Sequence, residues 1–286
     1  MGKITDYAAV TTLAAANVFL IDGANGTKTI TAQNVSKSLA ALLPNDDLFA
    51  MLDNIAAPEV HRMIFRGKSL GSSFTAAQKA EVQAGTFKGL WLGDYWTINN
   101  VVYRIVDFNY WKRCGDTDFD TNHLVIMPDS PLYNAKMNET NTTEGGYVGS
   151  KMYTENLDAA KTTITTAFGA SVLTHREYLV NAVTNGKPSG GAWFDSTVEL
   201  PNEIMIYGCH VFMPANDGVT IPTRYTINNS QLALMQAAPR FIKNRAHYWL
   251  RDAVSAADFA LVNGSGGAYG TGASRSFGVR PVFAVG

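Results

Sequence analysis

The sequence carries little charge. Charged residues make up 16% of its 286 residues, whereas ordinary soluble domains have roughly a quarter. The formal net charge is −1, and without a cluster of Lys and Arg we expect no nucleic-acid partner. Hydrophobic and aromatic contents of 46% and 11% are typical of a globular chain. The length suffices for one large or two medium domains with a real core.

Cysteine is nearly absent as well. Cys114 and Cys209 are the two that occur, far apart in sequence, and no CxxC or His/Cys spacing indicates zinc. We expect buried free thiols, and a disulfide between them stays open.

Signals for targeting and for membranes are weak. The N-terminus has no basic segment before an apolar run, so no secretory signal is expected. Gly2 is followed by Asp6 where a myristoylation motif requires Ser or Thr. The longest uncharged apolar runs are far too short to cross a bilayer, and we expect no membrane insertion.

Patterns for metal binding and catalysis are also incomplete. Asp116, Asp118 and Asp120 alternate as in a calcium loop, but Thr121 and Met127 stand where an EF-hand requires Gly and Glu. We expect solvated carboxylates there, with a calcium role left open. No GxSxG or Walker A motif occurs. The five histidines are scattered singly: His61, His123, His175, His210 and His247. The sequence predicts no cofactor, no metal and no catalytic residue.

Residues 1–43 form a small module of their own. Strands are predicted for Val18–Ile21 and Thr27–Ile30, and a helix from Thr31. So small a unit buries little surface alone, so we expect it to pack against copies of itself or a larger assembly.

A helical connector, 44–87, follows. Apolar residues at helical spacing end before Pro58, and they are Leu48, Met51, Leu52 and Ile55. A second helix is predicted for Thr75–Ala84, closed by Gly85.

The body, 88–286, is predicted to be α+β because strands and helices occur without regular alternation. An Asn99–Asn100 turn joins two predicted strands, Trp96–Ile98 and Val101–Val106. Further strands are predicted in HLVIMPDSPLY, EIMIYGCHVF, HYWLRDA, FALVN and GVRPVFAV, and helices in YTENLDAAKTTITTAFG, HREYLVNAV and NNSQLALMQAAPRFI. In the second of these helices, Thr174 would cap and Glu177 reach back.

The segment LVNGSGGAYGTGASRS, Leu261–Ser276, is rich in Gly and Ala yet lies between YWLR and FGVRPVF. Those framing strands are expected to tie it at both ends, and Arg251 or Arg280 to be held by carboxylates. Their expected core residues are Trp249, Leu250, Val279, Val282 and Phe283. Tyr, Ser, Gly and Asn are typical of adaptable recognition loops, so we expect an exposed binding face.

Residues 1–43, in KITDYAAVTTLAAANVFLIDGANGTKTITAQNV, resemble the N-terminal module of tailed-phage fibre and baseplate-associated proteins. The resemblance implies a virion-attachment end and a homotrimer. Residues 88–286 resemble an uncharacterised domain family of gut Firmicutes and their phages. Their closing pattern, YWLR, a Gly-rich segment and GVRP, is similar to the end of the C-type-lectin-like fold. Sulfatase-modifying enzymes of that fold have a catalytic cysteine pair without a counterpart here, so the resemblance implies a scaffold and no activity.

The terminal segment resembles the variable region of proteins diversified by retroelements, such as the phage major tropism determinant. Adenine-directed mutagenesis that changes only the first two bases of an Asn codon cannot produce a codon for Lys, Glu, Gln, Met or Trp. All five types are absent from Leu250 to Arg280. A Gly/Ser loop without these types is the alternative interpretation. The candidate diversified, receptor-binding positions are Asp252, Asp258, Leu261, Asn263, Ser265, Ala268, Tyr269, Thr271, Arg275 and Phe277.

These resemblances predict a non-enzymatic virion protein on a phage tail or capsid surface. It would attach to other virion proteins through residues 1–43 and bind a host receptor, protein or glycan, through a C-type-lectin-like domain, 88–286. One alternative is a structural head-fibre or decoration protein. The other is a virion-associated cell-wall hydrolase, since carboxylates and histidines distant in sequence can meet in a fold.

Overall fold

Val18–Ile21 and Lys28–Thr31 form an antiparallel hairpin, β1 and β2, in which Val18 lies opposite Thr31. The computed structural model describes residues 18–21, 28–31, 45–55, 57–212 and 230–286. It divides the chain into two compact units, 1–55 and 56–286, so the connector predicted for 44–87 is shared between them. The hairpin confirms both predicted strands within one residue. Thr31, the predicted first residue of a helix, belongs to β2, and the rest of that predicted helix lies outside the described residues.

Helix α1 spans Asn45–Ile55 in the first unit. Leu48 and Met51 are 50% and 53% exposed on it, and Leu52 is half-buried. The predicted apolar stripe therefore lies on a helix, and its Leu48 and Met51 side chains face solvent.

The second unit begins with a 3₁₀ helix, Pro58–Arg62, and α2, Ala76–Ala84. Thr75 caps α2 in a reciprocal box with Gln78, and Gly85 ends it in the left-handed region, where a residue without Cβ is favoured. This helix and both of its caps are confirmed. The other α-helices of the described residues are α3 (Asp158–Phe168), α4 (Glu203–Tyr207) and α5 (Ala233–Ala237).

Most of the regular secondary structure described in this unit is β-sheet. Its strands are β3 (Tyr95–Ile98), β4 (Val101–Phe108), β5 (Leu124–Pro128), β6 (Tyr133–Lys136), β7 (Val172–Leu173), β8 (His175–Thr184), β9 (Lys187–Ser196), β10 (Val198–Glu199), β11 (Tyr248–Ala253), β12 (Asp258–Val262), β13 (Ala268–Gly272), β14 (Ser276–Val279) and β15 (Val282–Val285). Asn99 and Asn100 have φ of 50° and 64° in the turn between β3 and β4, which confirms that hairpin.

Two larger sheets hold the core. One has the order β10-β15-β5-β4-β3, with β7 also paired to β15, and the other has the order β13-β12-β11-β14-β6. Trp249, Leu250, Val279, Val282 and Phe283 are all buried as predicted. The fold is thus mixed α and β, with mostly sheet and few helices.

Two predicted elements are wrong. HREYLVNAV does not form a helix capped by Thr174: it is most of β8, which pairs with β9 from His175 opposite Ser196 onward. This pairing buries alternate residues His175, Glu177 and Leu179, the pattern of a strand with one buried face.

EIMIYG was predicted as a strand and is α4. The Asn202 side chain accepts a hydrogen bond from the Met205 N–H at 2.8 Å, and Gly208 ends the helix with a φ of 81°. Local capping signals therefore outweigh the apolar composition.

The arginines of the framing strands are held differently from each other. Arg251 pairs with the carboxylate of Glu177, as predicted. Arg280 instead donates hydrogen bonds to the carbonyls of Pro128 and Phe241, so of the two arginines it is Arg251 that has the predicted carboxylate partner. Carbonyl groups suffice because the buried guanidinium needs acceptors, whatever their charge.

Candidate functional site

The Gly-rich segment is an ordered edge strand. Residues Ala268–Gly272 form β13, which pairs with β12 with Tyr269 opposite Leu261 and Thr271 opposite Phe259. The far side of β12 pairs with the buried strand β11. The segment is therefore tied into the five-stranded sheet along its length and at both ends.

The turn between β12 and β13 is organised by Asn263. Its Oδ1 accepts hydrogen bonds from the N–H groups of Ser265 and Gly267, each at 3.0 Å, and from Ser265 Oγ at 2.7 Å. A side chain used in this way shapes a turn, so Asn263 positions Ser265.

Asp258 has a similar role at the other end of β12. Its carbonyl accepts the Val254 N–H at 3.0 Å, and its Oδ2 accepts a hydrogen bond from Ser255 Oγ at 2.8 Å. Asp258 thereby closes the β11–β12 turn.

The exposed candidates lie on β13 and its two turns. Tyr269 is 54% exposed, and Ser265 and Arg275 are also exposed, while Ala268 and Thr271 are half-buried. The Arg275 N–H donates to the carbonyl of Gly272 at 3.1 Å, which fixes the backbone and leaves the side chain outside. We call the set Ser265, Ala268, Tyr269, Thr271 and Arg275 the terminal face.

Two candidates are buried and do not belong to this face. Leu261 is fully buried, because its side chain lies on the inner part of the sheet between Trp249 and Tyr269. Asp252 is also buried, and its Oδ2 accepts the Glu203 N–H at 2.6 Å. Neither side chain is available to a receptor, so their selection as contact residues is corrected.

Phe277 is half-buried. Its ring stacks on His247, with centroids 5.2 Å apart, and meets Trp249 edge to face at 5.3 Å. Phe277 therefore anchors β14 to the buried Trp249 and offers only part of its ring to solvent.

A buried ionic cluster fixes strand β11 of this sheet. Arg251 Nη2 donates to Glu177 Oε2 at 2.7 Å, and Trp111 Nε1 donates to Glu177 Oε1 at 2.8 Å. Burial alone would raise the pKa of Glu177, but Arg251 and His175 outweigh it and lower that pKa to about 2. The carboxylate is thus ionised and matched to its guanidinium partner.

Asp252, the next residue on β11, has the opposite electrostatics. Burial and the neighbouring Glu203 carboxylate raise the pKa of Asp252 to about 7. Strand β11 therefore carries two neighbouring residues with opposite effects. Arg251 favours the ionised form of Glu177, whereas the surroundings of Asp252 favour the neutral form of its carboxyl group.

The loop 243–247 was missed by sequence reasoning. It lies against the β12–β13 turn: a Cβ added at Gly266 would be 3.1 Å from Lys243 Cβ, and one at Gly264 would be 3.2 Å from the Arg245 carbonyl. Lys243, Arg245 and His247 are exposed beside the turn. The signal in the sequence is the polar run KNRAH directly before the buried strand β11.

Two of the aspartates considered for calcium binding form ion pairs with arginines. Asp116 forms a two-point ion pair with Arg176, and Asp120 lies 3.5 Å from Arg113. Among the described residues no group of three His, Cys, Asp or Glu side chains could hold a metal ion. Cys114 and Cys209 are free thiols, as expected, but Cys209 is exposed and Cys114 half-buried, so full burial is wrong.

No helix in the described part of the chain is long and apolar enough to cross a membrane. Comparison with protein-family models, curated proteins and solved structures finds no match for this chain.

Proposed function

We propose that this chain is a non-enzymatic phage virion protein that binds the surface of a bacterial host through the terminal face. The observation that carries the proposal is the placement of Tyr269, more than half exposed on a paired edge strand. Tyrosine supplies a large amphipathic contact at low entropic cost. The short residues around it leave its ring accessible.

The frame of the terminal face suits a display surface. Strands β11 and β15 are buried, and the exposed residues occupy β13 and its turns. Substitutions at Ser265, Tyr269 and Arg275 change solvent-facing atoms, so different residues there are compatible with one fold. This separation of frame and face is what diversification by a retroelement requires.

The C-type-lectin-like assignment of residues 88–286 belongs to this proposal. It is supported by the closing sequence pattern and by the mixed, mostly β architecture. Residues 1–43 serve as the virion-attachment module, and the intact protein is a homotrimer on a tail or capsid surface. Exposed Leu48 and Met51 support self-association, because large apolar side chains favour a partner surface.

The direct test is adsorption. Labelled intact protein is incubated with a panel of gut Firmicutes, the group that the resemblance implies, and then with phage carrying the protein. Saturable binding to some strains, with reduced phage adsorption to the same strains, supports the proposal.

Two other outcomes would contradict it. Absence of cell binding together with incorporation into particles would favour a structural decoration protein. Release of sugars or peptides from purified cell walls would favour a hydrolase. Near the coding region, a reverse transcriptase and a near-copy of the terminal segment would support diversification.

A further inference from the structure

A cavity of about 560 Å³ lies in the second unit, and none of its lining residues belongs to the terminal face. Its walls come from the 3₁₀ helix Pro58–Arg62, from Phe87 after α2, and from residues 108–113 after β4. A volume of several hundred Å³ is the size of pockets that enclose small organic ligands.

The backbone around this cavity is unusual. Phe87, Asn109 and Arg113 have φ of 53°, 54° and 59°, and all three line the cavity. Left-handed backbone is disfavoured for bulky side chains such as Phe and Arg. Conformations of this kind concentrate at ligand sites, where the surrounding structure enforces them.

The enforcing contacts are present at each position. The Phe87 N–H donates to the Glu81 carbonyl at 3.1 Å, and the Arg113 N–H to the Phe119 carbonyl at 2.9 Å. Asn109 Oδ1 accepts the His123 N–H at 2.9 Å. The loop is therefore held in one shape before any ligand arrives, which favours binding.

Among the described lining residues the charged groups are mostly cationic: Arg62, Lys112 and Arg113, with one carboxylate, Glu59. Arg62 is held by Asp107 through Nε and Nη2, the latter at 3.0 Å. Asp107 is fully buried and also accepts the N–H groups of Phe108 and Ala233. Because Asp107 is enclosed on all sides, it orients Arg62 and is itself inaccessible to a ligand.

Donor groups remain for a ligand. Within the described residues Nη1 of Arg62 has no hydrogen-bond partner, and the side chain is 38% exposed. Lys112 Nζ donates one of its three hydrogens, to Asn122 Oδ1 at 2.5 Å. Two cationic groups with spare donors form strong, charge-assisted hydrogen bonds with a carboxylate or a phosphate.

Another part of the lining is apolar. The rings of Phe87 and Phe108 meet edge to face, with centroids 5.1 Å apart, and Tyr110 lies beside them in the wall. A ligand that matches both parts has an anionic end and an apolar ring.

We propose that this cavity binds a small organic anion, with a carboxylate or phosphate at Arg62 and Lys112 and an apolar ring on the Phe87–Phe108 side. The site is separate from the terminal face and does not rest on the proposed receptor-binding function. A simple inorganic ion is not the expected ligand, because the cavity is too large and too apolar for one.

The test is calorimetric titration of the intact protein with benzoate and with phenyl phosphate. Benzyl alcohol carries the ring without the charge, and inorganic phosphate the charge without the ring. We expect one or both ring anions to bind at least tenfold more tightly than either control, and which anion binds identifies the preferred headgroup. Binding should weaken as salt rises, because the contacts are ionic.

Variants locate the site. Lys112→Glu should weaken binding of the preferred anion at least tenfold, and Lys112→Gln should weaken it severalfold while leaving a hydrogen-bonding group near Asn122. Lys161→Glu on α3 is the matched control and should bind as the parent does, as should Tyr269→Ala on the terminal face. The melting temperature of each variant is measured alongside.

Three results would overturn the proposal. The first is no binding of either ring anion at 10 mM, roughly the weakest affinity worth calling a site. The second is parental affinity in a folded Lys112→Gln variant. The third is equal binding of benzyl alcohol. If the protein binds the anion but does not bind host cells, the result contradicts only the proposed receptor-binding function and leaves the cavity proposal intact.

Discussion

Arg251 on β11 and Glu177 on β8 form a buried ion pair, with 2.7 Å between Nη2 and Oε2. The contact joins the strand that frames the terminal face to the long β8–β9 hairpin. Trp111 completes it, since its ring stacks on His175 at 3.9 Å while its Nε1 binds Glu177. Arg251, Glu177 and Trp111 together therefore connect three segments that are distant in sequence.

Glu177→Gln is expected to destabilise the protein by about 3–5 kcal/mol, because it leaves the buried Arg251 charge without its partner. Chemical denaturation of the intact chain measures the change in the free energy of unfolding. The double variant Glu177→Gln with Arg251→Met should recover part of the loss, since both charges are then gone. A loss under about 1 kcal/mol in the single variant would contradict the assigned role.

Asp252→Asn should stabilise the protein at pH 8 by about 1–4 kcal/mol. The pKa of Asp252 is raised in the folded state to about 7, from a reference value of 3.8. The folded state therefore prefers the protonated form, and its stability falls as pH rises from about 4 to 7. Asn does not ionise, and its oxygen still accepts the Glu203 N–H.

The check is the free energy of unfolding between pH 4 and 8 for the parent, Asp252→Asn and, as a control at an exposed site, Asp158→Asn. The difference between parent and Asp252→Asn should grow with pH up to about 7 and then level off. A constant difference across this range would refute the raised pKa.

The double variant Tyr269→Ala with Arg275→Ala should abolish binding to host cells. Each of the two substitutions should change the free energy of unfolding by no more than about 0.5 kcal/mol. Both side chains are exposed, and Tyr and Arg are frequent anchors of interfaces. Phe277 is left unchanged because it packs on Trp249. Flow cytometry of labelled protein on host cells gives the binding, and thermal melting gives the stability.

Trp249→Ala is the opposite control. Its side chain is fully buried, and its Nε1 donates to the Ala135 carbonyl at 2.9 Å, so a loss of about 3–5 kcal/mol is expected. Parental cell binding by the double variant would remove Tyr269 and Arg275 from the proposed receptor contact.

Leu48→Glu with Met51→Glu should convert the proposed homotrimer to a smaller species. Both side chains are at least half exposed on α1, and charges placed there oppose burial between copies, while Glu remains compatible with a helix. Light scattering of the intact chain measures the mass. Met63→Glu, at a residue 74% exposed, is the control and should leave the mass unchanged. A monomeric parent at micromolar concentration would contradict the trimer.

Sequence reasoning succeeded where the signals are local. The capping box of Thr75 and Gln78 and the Asn99–Asn100 turn involve residues no more than three positions apart, so the sequence itself contains the geometry. The helix predicted for HREYLVNAV is wrong although a local signal exists: Asn185 and Gly186, with φ of 52° and 74°, form the two-residue turn that joins β8 to its partner β9. The capping pattern of Thr174 and Glu177 was given more weight than this turn.

The sequence predicted the candidate site only in part. Residue type selected Leu261 and Asp252 together with Tyr269, but type does not say whether a residue lies on an inner strand or on an edge strand. Leu261 is buried because β11 and β13 flank it, and Asp252 lies on the buried strand β11, against the first residue of α4. The cavity at residues 108–113 had no local signal, since its walls come from segments separated by tens of residues.

Strand β15 follows the terminal segment in sequence, yet it lies inside its sheet, between β5 on one side and β7 and β10 on the other. A ribosome must therefore read through every codon of the segment before the sheet can close. A frameshift or stop codon there would yield a chain without this inner strand, with an exposed core that proteases recognise. Under the proposed diversification of the segment, such errors would be removed at the level of folding.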